Sequence, residues 1–243
     1  MRVGREKVED RSRCVSNAVL ISVIIPTLNE ASTIVQTLVR VRQERECELI
    51  VVDGGSTDRT PELAHLHANR VIVAPRGRAQ QMNAGAREAR GEVWLFLHAD
   101  TRLPARFPQL LDRALNDPRV VGGRFDVRLD ADGWPFRMVE AMMNLRSRLT
   151  KISTGDQAIF VRRQVFQEVG GYPDLALMED VEFSRKLKRA GKVACLRERV
   201  VTSARRWQRE GVFRTIVRMW ALRLCHFLGV PAERLRAFYA DTR

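Results

Sequence analysis

The sequence predicts an α/β fold: one Rossmann-like domain with a mostly parallel central sheet, helices on both faces and a C-terminal amphipathic helix. Three observations carry this. Short apolar runs rich in β-branched residues alternate with stretches of helical spacing four times within about 100 residues, the pattern of strands joined by crossover helices. The runs are apolar throughout rather than alternating, as strands buried on both faces are. Each run ends in a polar or glycine-rich cluster. In a parallel sheet such ends gather along one edge, where open α/β sheets bind ligands.

Residues 20–25 read as the first strand, followed by the turn Pro26-Thr27-Leu28-Asn29-Glu30. Residues 31–42 carry helical spacing through Ile34, Leu38 and Val41. Residues 48–52 are the second strand, ending on Asp53-Gly54-Gly55-Ser56-Thr57-Asp58, and Pro61 opens a helix, as proline favours a first turn. Residues 71–73 are a third strand, and residues 79–89 a third helix. Residues 93–97 are a fourth strand that runs into His98-Ala99-Asp100 and is broken by Thr101, Arg102, Leu103 and Pro104. Beyond this point the rhythm loosens. Residues 105–116 look helical, and Val120–Leu129 look like a strand with an irregularity at Gly122-Gly123 that suggests a bulge. Residues 134–149 look helical, with Met138, Met142 and Leu145 on one face. A short strand at 158–161, a helix at 178–190 closed by Gly191, and short strands at 192–196 and 200–202 follow.

The last helix runs from about residue 211 to 228. Phe213, Ile216, Val217, Trp220, Ala221, Leu224, Phe227 and Leu228 fall on one stripe, with Arg214, Arg218, Arg223 and His226 off it. Such a basic amphipathic helix packs its stripe on the domain or lies on an anionic bilayer. One domain with two lobes is expected: a loose tail at 1–19, a first half at 20–104, a second at 105–207 and a helical extension at 208–243.

The net charge of +13 and a pI near 10.8 favour phosphate-bearing partners. Cys14, Cys47, Cys195 and Cys225 form no close pair, so neither a zinc site nor a disulfide framework is suggested. A reducing compartment fits. The charged segment at residues 1–20 has no apolar core of signal-peptide length, and no uncharged apolar run approaches the ~20 residues that span a bilayer. The expected location is cytoplasmic, with a peripheral place on the inner face of the membrane as the extension of that reading.

G-x-G-x-x-G and G-x-x-x-x-G-K-[ST] are both absent, which argues against a dinucleotide-binding Rossmann enzyme and a Walker-type phosphate loop. Asp53 and Asp58 bracket a turn of glycine, serine and threonine. They are either ordinary turn residues, or Asp53 accepts hydrogen bonds from a nucleobase. Asp100, directly after a buried strand, either caps the next helix or holds a metal or charged ligand. Glu179-Asp180 opens a helix, where the dipole favours acidic residues.

Taken together, Ser22-Val-Ile-Ile-Pro-Thr-Leu-Asn-Glu30, Val52-Asp-Gly-Gly-Ser-Thr-Asp58, Gly77-Arg-Ala-Gln-Gln-Met-Asn-Ala-Gly85, His98-Ala-Asp100, Thr154-Gly-Asp-Gln157 and Met178-Glu-Asp180 resemble glycosyltransferase family 2, the nucleotide-sugar-dependent enzymes with the A-type fold (GT-A). The stretches come in the family's order and cover roughly residues 20–207. The resemblance implies that the first half binds the nucleotide sugar and the second binds the acceptor and carries catalysis. Pro26, Thr27, Asn29, Glu30, Asp53 and Gly55 would hold the nucleoside, most often uridine. Arg78 and Asn83 would lie near the ribose and diphosphate, with His98 and Ala99 beside the nucleotide. Asp100 would bind Mg²⁺ or Mn²⁺. The family usually shows Asp-x-Asp here; in this chain the first position is His98. Asp180, with Glu179, would supply the general base of an inverting transfer, and Gly155, Asp156, Gln157 and Trp207 would line the acceptor side. Arg205-Arg206-Trp207 looks like a degenerate form of the Gln-x-x-Arg-Trp motif of processive members; Gln208 follows the tryptophan, so processive synthesis is not expected.

A cation is also required on physical grounds. A carboxylate about 4 Å from a phosphate oxygen repels it by ~4 kcal/mol at an effective dielectric of 20, and oxygen ligands with phosphates suit Mg²⁺ or Mn²⁺. The expected partners are a nucleotide-sugar donor and an acceptor of lipid or isoprenoid type at a membrane surface, with no nucleic acid. Two other readings stay open. A nucleotidyltransferase making nucleotide sugars would carry a glycine-rich basic loop after its first strand, where this chain has Pro26-Thr-Leu-Asn-Glu30. A basic nucleic-acid-binding protein would show a recognisable motif and a clustered basic face.

Overall fold

The computed structural model describes residues 20–44 and 47–239. The tail expected at 1–19, with Cys14, lies outside them. Among the described residues, eight strands, β1 to β8 in chain order, form one sheet. The first half is parallel, as the apolar runs predict: β1 (Ile21–Thr27) pairs in parallel with β2 (Cys47–Asp53) and β4 (Val93–Phe96), and β2 with β3 (Arg70–Val73). The second half is mixed. β7 (Ile159–Arg162) runs antiparallel to β4 and to β6 (Val120–Leu129). β6 runs parallel to β8 (Lys192–Thr202), and β8 antiparallel to the two-residue β5 (Thr101–Arg102).

Residues in β1, β2 and β4 alternate between two apolar layers. Val23, Ile25, Val51 and Leu95 pack with Ile34, Leu38 and Val41 of α1 (Ile34–Arg42), with Ala64 of α2 (Thr60–His65) and with Phe107 and Leu111 of α4 (Phe107–Leu115). Ile24, Val52 and Phe96 face α3 (Arg78–Glu88), α6 (Arg163–Glu168) and α7 (Glu179–Ala190). Phe96, Phe166, Tyr172 and Phe183 interlock there, with ring centroids between 4.1 and 6.3 Å apart. Each such pair is worth ~0.5–1.5 kcal/mol beyond its burial. The carboxyl ends of β1, β2 and β4 therefore share one edge, and that edge carries the site.

Three features depart from the sequence reading. The strands expected at 192–196 and 200–202 are one strand, β8. Its register against β6 shifts between Arg124 and Asp126, where β8 advances from Cys195 to Arg199, so a bulge absorbs the break in the apolar pattern. A second shift falls between Val120 and Gly122, as the glycine pair suggests. Thr101 and Arg102, taken as strand-breaking, pair with Thr202 and Val201.

The glycine pair has a packing reason. A Cβ on Gly122 would strike the Phe160 carbonyl oxygen, and one on Gly123 would lie 2.5 Å from the Ala194 carbonyl oxygen and 2.6 Å from Phe160 Cζ. Gly123→Ala is expected to cost ~1–3 kcal/mol as overpacking, read as a drop of roughly 2–10 °C in Tm by circular dichroism.

The third departure concerns two helices. In α5 (Trp134–Thr150) polar residues share the inward face with Val139 and Met143. Glu140 Oε1 accepts from Leu129 N–H at 2.7 Å, and Asn144 pairs with both Val127 N–H and Val127 C=O, at 2.8 and 2.9 Å. Arg148 and the fully buried Arg124 both pair with Asp126. With 140, 144 and 148 on the sheet, Met142, Leu145 and Leu149 necessarily face outward, and Leu149 is 73% exposed. The same inversion holds in α9 (Val212–Phe227). Arg218 pairs with Glu210, and His226 Nε2 lies 2.8 Å from Glu182 Oε1. Thr215 and Leu222 are buried, while Phe213, Val217, Trp220, Leu224, Phe227 and Leu228 are exposed. Of the two expectations for the apolar stripe, packing on the domain holds for Ile216 alone; most of the stripe faces outward, and Arg218 and His226 find partners beside the inward Thr215, Met219 and Leu222.

Candidate active site

A cavity of about 220 Å³ opens at the carboxyl edge of the sheet, between the strand ends and α5, α8 (Arg205–Glu210) and α9. Pro26, Glu30, Arg78, His98, Ala99, Asp100, Gly155, Asp156, Asp180 and Trp207, all singled out from the sequence, line it. Asp100 and Asp180 thus share one cleft although distant in sequence.

Asp180 stands in the first turn of α7. Its Oδ2 accepts from Gly155 N–H at 2.8 Å and its Oδ1 from Val181 N–H at 2.7 Å, so two backbone donors fix the carboxylate. Gly155 belongs to a 3₁₀ turn (Gly155–Gln157) closed by a reciprocal cap between Thr154 and Gln157. A side chain at 155 would collide with the His98 imidazole. The close approach of backbone to ring therefore links the end of β4 to the Asp180 carboxylate. Gln157 is buried, and its Nε2 donates to Ser147 Oγ at 3.0 Å; it shapes the turn rather than facing the cleft.

Asp100 and Glu30 converge on one cation. Arg205 Nη2 lies 2.9 Å from Glu30 Oε2 and 3.3 Å from Asp100 Oδ2. Burial draws the Arg205 guanidinium down, but its hydrogen bonds and charge pairing with Glu30 and Asp100 outweigh this and hold it above its ordinary value. Glu30 is buried and Asp100 partly exposed, so Arg205 bridges one carboxylate of the platform and one that faces the cleft. Among the described residues no cluster of three or more His, Cys, Asp or Glu side chains could by itself cage a metal. The single partly exposed Asp100 carboxylate fits a hard ion that takes its other ligands from phosphate and water, as Mg²⁺ and Mn²⁺ do.

Other residues expected in the site serve as its platform. Asp53 is buried: Oδ2 accepts from Gly55 N–H and Ser56 N–H at 2.9 and 2.8 Å, and Oδ1 from the Ser56 and Thr27 hydroxyls at 2.5 and 3.2 Å. Asn29, at φ 54°, bonds through its amide and side chain to Ser56 and Thr57. Asp58 clamps the same two turns through Ala31 N–H and Thr60. Burial pushes the Asp58 carboxyl up, but these hydrogen bonds prevail and leave it below its usual value. Asn83 pairs with both backbone groups of Tyr172, tying α3 to the loop before α7. Thr27, Asn29, Asp53, Gly55, Asn83, Gln157 and Glu179 do not line the cavity.

The cavity also contains residues the sequence reading did not assign. Arg146 of α5 and Arg223 of α9 line it, as do Met142, Met143, Met219 and Trp220. Helical periodicity puts Arg223 off the apolar stripe, which is the available signal, but periodicity does not say what that face meets. Asp156 Oδ1 is buried without a hydrogen-bond partner. Burial above all, then the nearby Asp180 charge, pushes the Asp156 carboxyl up, against the pull of the Thr154 hydroxyl, Arg146 and Arg223.

A parallel first half, a mixed second half and a carboxylate-lined cleft at the shared edge define an A-type glycosyltransferase fold. The pattern of glycosyl transferase family 2 matches residues 22–170, and the chain belongs to that family. It is 31% identical over 159 residues to the undecaprenyl-phosphate 4-deoxy-4-formamido-L-arabinose transferase of Pseudomonas paraeruginosa, covering 59% of this chain and 46% of that one. It is 34% identical over 169 residues to a PGL/p-HBAD biosynthesis glycosyltransferase of Mycobacterium bovis, covering 64% of each. The chain thus spans about half to two thirds of the length of these relatives. Among solved structures, a mannosyltransferase from Pyrobaculum calidifontis in complex with GDP-Man and Mn²⁺ superposes with a TM-score of 0.65 at 21% identity, over 93% of this chain and 66% of that one. S. aureus TarS in complex with UDP-GlcNAc superposes with a TM-score of 0.60 at 20% identity, over 75% and 58%.

Proposed function

We propose that the protein is an inverting glycosyltransferase that moves a sugar from a UDP-linked donor to an acceptor hydroxyl, metal-assisted, with Asp180 as general base. The observation that carries this is the presence of Asp100 and Asp180 in one cleft, on the family's motifs and at the shared strand edge. Pro26, Glu30, Arg78, His98 and Ala99 form the donor side. When bound to Asp100, Mg²⁺ or Mn²⁺ neutralises charge on the departing diphosphate. Arg205 balances Glu30 and Asp100 and turns toward phosphate as the donor enters. The Asp180 carboxylate, oriented by Gly155 and Val181, takes the acceptor proton. Relatives named for polyprenyl-phosphate transfer and neighbours solved with nucleotide sugars and Mn²⁺ support this assignment. A thermal-shift screen of UDP- and GDP-sugars with and without Mn²⁺ tests it. A metal-dependent stabilisation by a nucleotide sugar is expected; pyrophosphate release from a nucleoside triphosphate and a sugar phosphate would favour the nucleotidyltransferase reading instead.

The acceptor side of the reading is a lipid surface. The outward apolar faces of α5 and α9 meet where Trp134 packs edge-on against Phe213, with ring centroids 6.4 Å apart, and both helices border the cleft. Exposed apolar side chains gathered on one face mark an interaction surface, here Trp134, Leu145, Phe213, Val217, Leu224 and Phe227, and arginines around them suit anionic headgroups. No helix among the described residues is long and apolar enough to cross a membrane. Burying a large apolar side chain is worth ~1.5–3 kcal/mol. The double substitution Val217→Glu with Phe227→Glu is therefore expected to reduce co-sedimentation with phosphatidylglycerol vesicles at low salt at least about tenfold, leaving donor binding unchanged. Equal co-sedimentation of wild type and variant would remove the membrane assignment.

A further inference from the structure

We propose that Arg146 and Arg223 form a subsite for an anionic group of the phosphate-ester class carried by the acceptor. The proposal rests on the reading of the cleft as a glycosyl-transfer site and adds the chemistry that its acceptor must bear. The two side chains come from the two inverted helices, α5 and α9, and line the same cavity as Asp180. Arg146 Nε, Arg146 Nη2 and Arg223 Nε are buried without a hydrogen-bond partner. Native folds rarely leave buried donors unpaired, and these belong to the side chain whose planar fork best matches phosphate.

The electrostatics agree. Burial first, and then the charge of Arg223, draw the Arg146 guanidinium down to about 10, more than Asp156 and Asp180 restore. The positive pair is therefore only partly compensated by the protein. Of its two acidic neighbours, Asp156 is itself pushed toward the neutral form, where it can donate a hydrogen bond instead of repelling an anion. The donor side of the cleft, at Arg78, His98 and Asp100, is furnished separately. Beside the arginines the wall is apolar, made by Met142, Met143, Met219 and Trp220, and Met142 and Trp220 continue onto the exposed face. A phosphate at the arginine pair would thus have hydrocarbon running outward along that wall.

Binding of dodecyl phosphate, dodecanol and inorganic phosphate to the full chain, measured by calorimetry without UDP and with saturating UDP and Mn²⁺, tests the proposal. Dodecyl phosphate is expected to bind in both conditions and more tightly than dodecanol. It is expected to lose about tenfold to a hundredfold in affinity in Arg146→Met and in Arg223→Met. UDP affinity should be unchanged in these variants, and their Tm unchanged or raised because a repulsive pair is relieved. Binding of inorganic phosphate as tightly as dodecyl phosphate would keep the anion subsite and assign it to a free phosphate-bearing metabolite. Equal binding of dodecyl phosphate and dodecanol, wild-type affinity in both variants, or displacement by UDP would overturn the subsite. Failure of UDP to bind with Mn²⁺ would instead count against the transferase reading, and the arm without UDP would still report on the arginines.

Discussion

Asp180→Asn is expected to lower kcat for sugar transfer by ~10²–10⁴, the contribution of a positioned general base, while UDP-sugar affinity stays at the wild-type value. The substitution keeps size and shape but turns one of the two acceptor oxygens into a donor, so one of the two backbone hydrogen bonds is given up. An asparagine oxygen can still accept from either Gly155 N–H or Val181 N–H, the two donors that hold the native carboxylate. Glu179 and Glu182 remain in the first turn of α7, so the helix dipole stays complemented. What is lost is the ability to take a proton. Single-turnover transfer with calorimetric donor binding separates the two effects, and wild-type turnover in the variant would remove the mechanism.

Asp100→Ala is expected to reduce transfer by about 10²–10³ and to abolish the Mn²⁺ dependence of nucleotide-sugar binding. The size follows from charge stabilisation worth several kcal/mol in metal-assisted reactions, at about tenfold per 1.4 kcal/mol. Chelation of the wild type should mimic the variant, and chelation of the variant should add little. Structural damage should be small, because Asp100 contributes one partly exposed ion pair to Arg205, and Arg205 keeps Glu30. Donor affinity that still rises with Mn²⁺ in Asp100→Ala would place the metal elsewhere.

The first half of the protein was legible because its signals are local. A run such as Val93-Trp-Leu-Phe96 has only one comfortable environment, the middle of a sheet covered on both faces. A parallel arrangement of such runs then fixes which ends gather. That is why Asp100 could be named from its place after a buried strand, whereas Asp180, in the first turn of a helix, was named through the family resemblance; both line the same cleft. Family 2 motifs were equally local, and they gave the fold class and the order of the site loops. Asp53 shows the limit of motif reading: the residue sits where expected, but its turn consumes both oxygens. Sequence cannot tell a carboxylate aimed at a ligand from one aimed at its own backbone.

By itself the sequence determined the parallel core, the strand-end clusters and the existence of two helices with an apolar face. Only the tertiary structure decided which way those helices turn. Periodicity defines a stripe, not its direction, and direction depends on partners distant in the chain. Glu140 and Asn144 found the free edge of β6, and Arg218 and His226 found Glu210 and Glu182, so these polar residues turned inward beside Val139 and Leu222 and most of the apolar stripes were left outside. The same long-range choice brought Arg146 and Arg223 into one cavity, a juxtaposition no local pattern encodes.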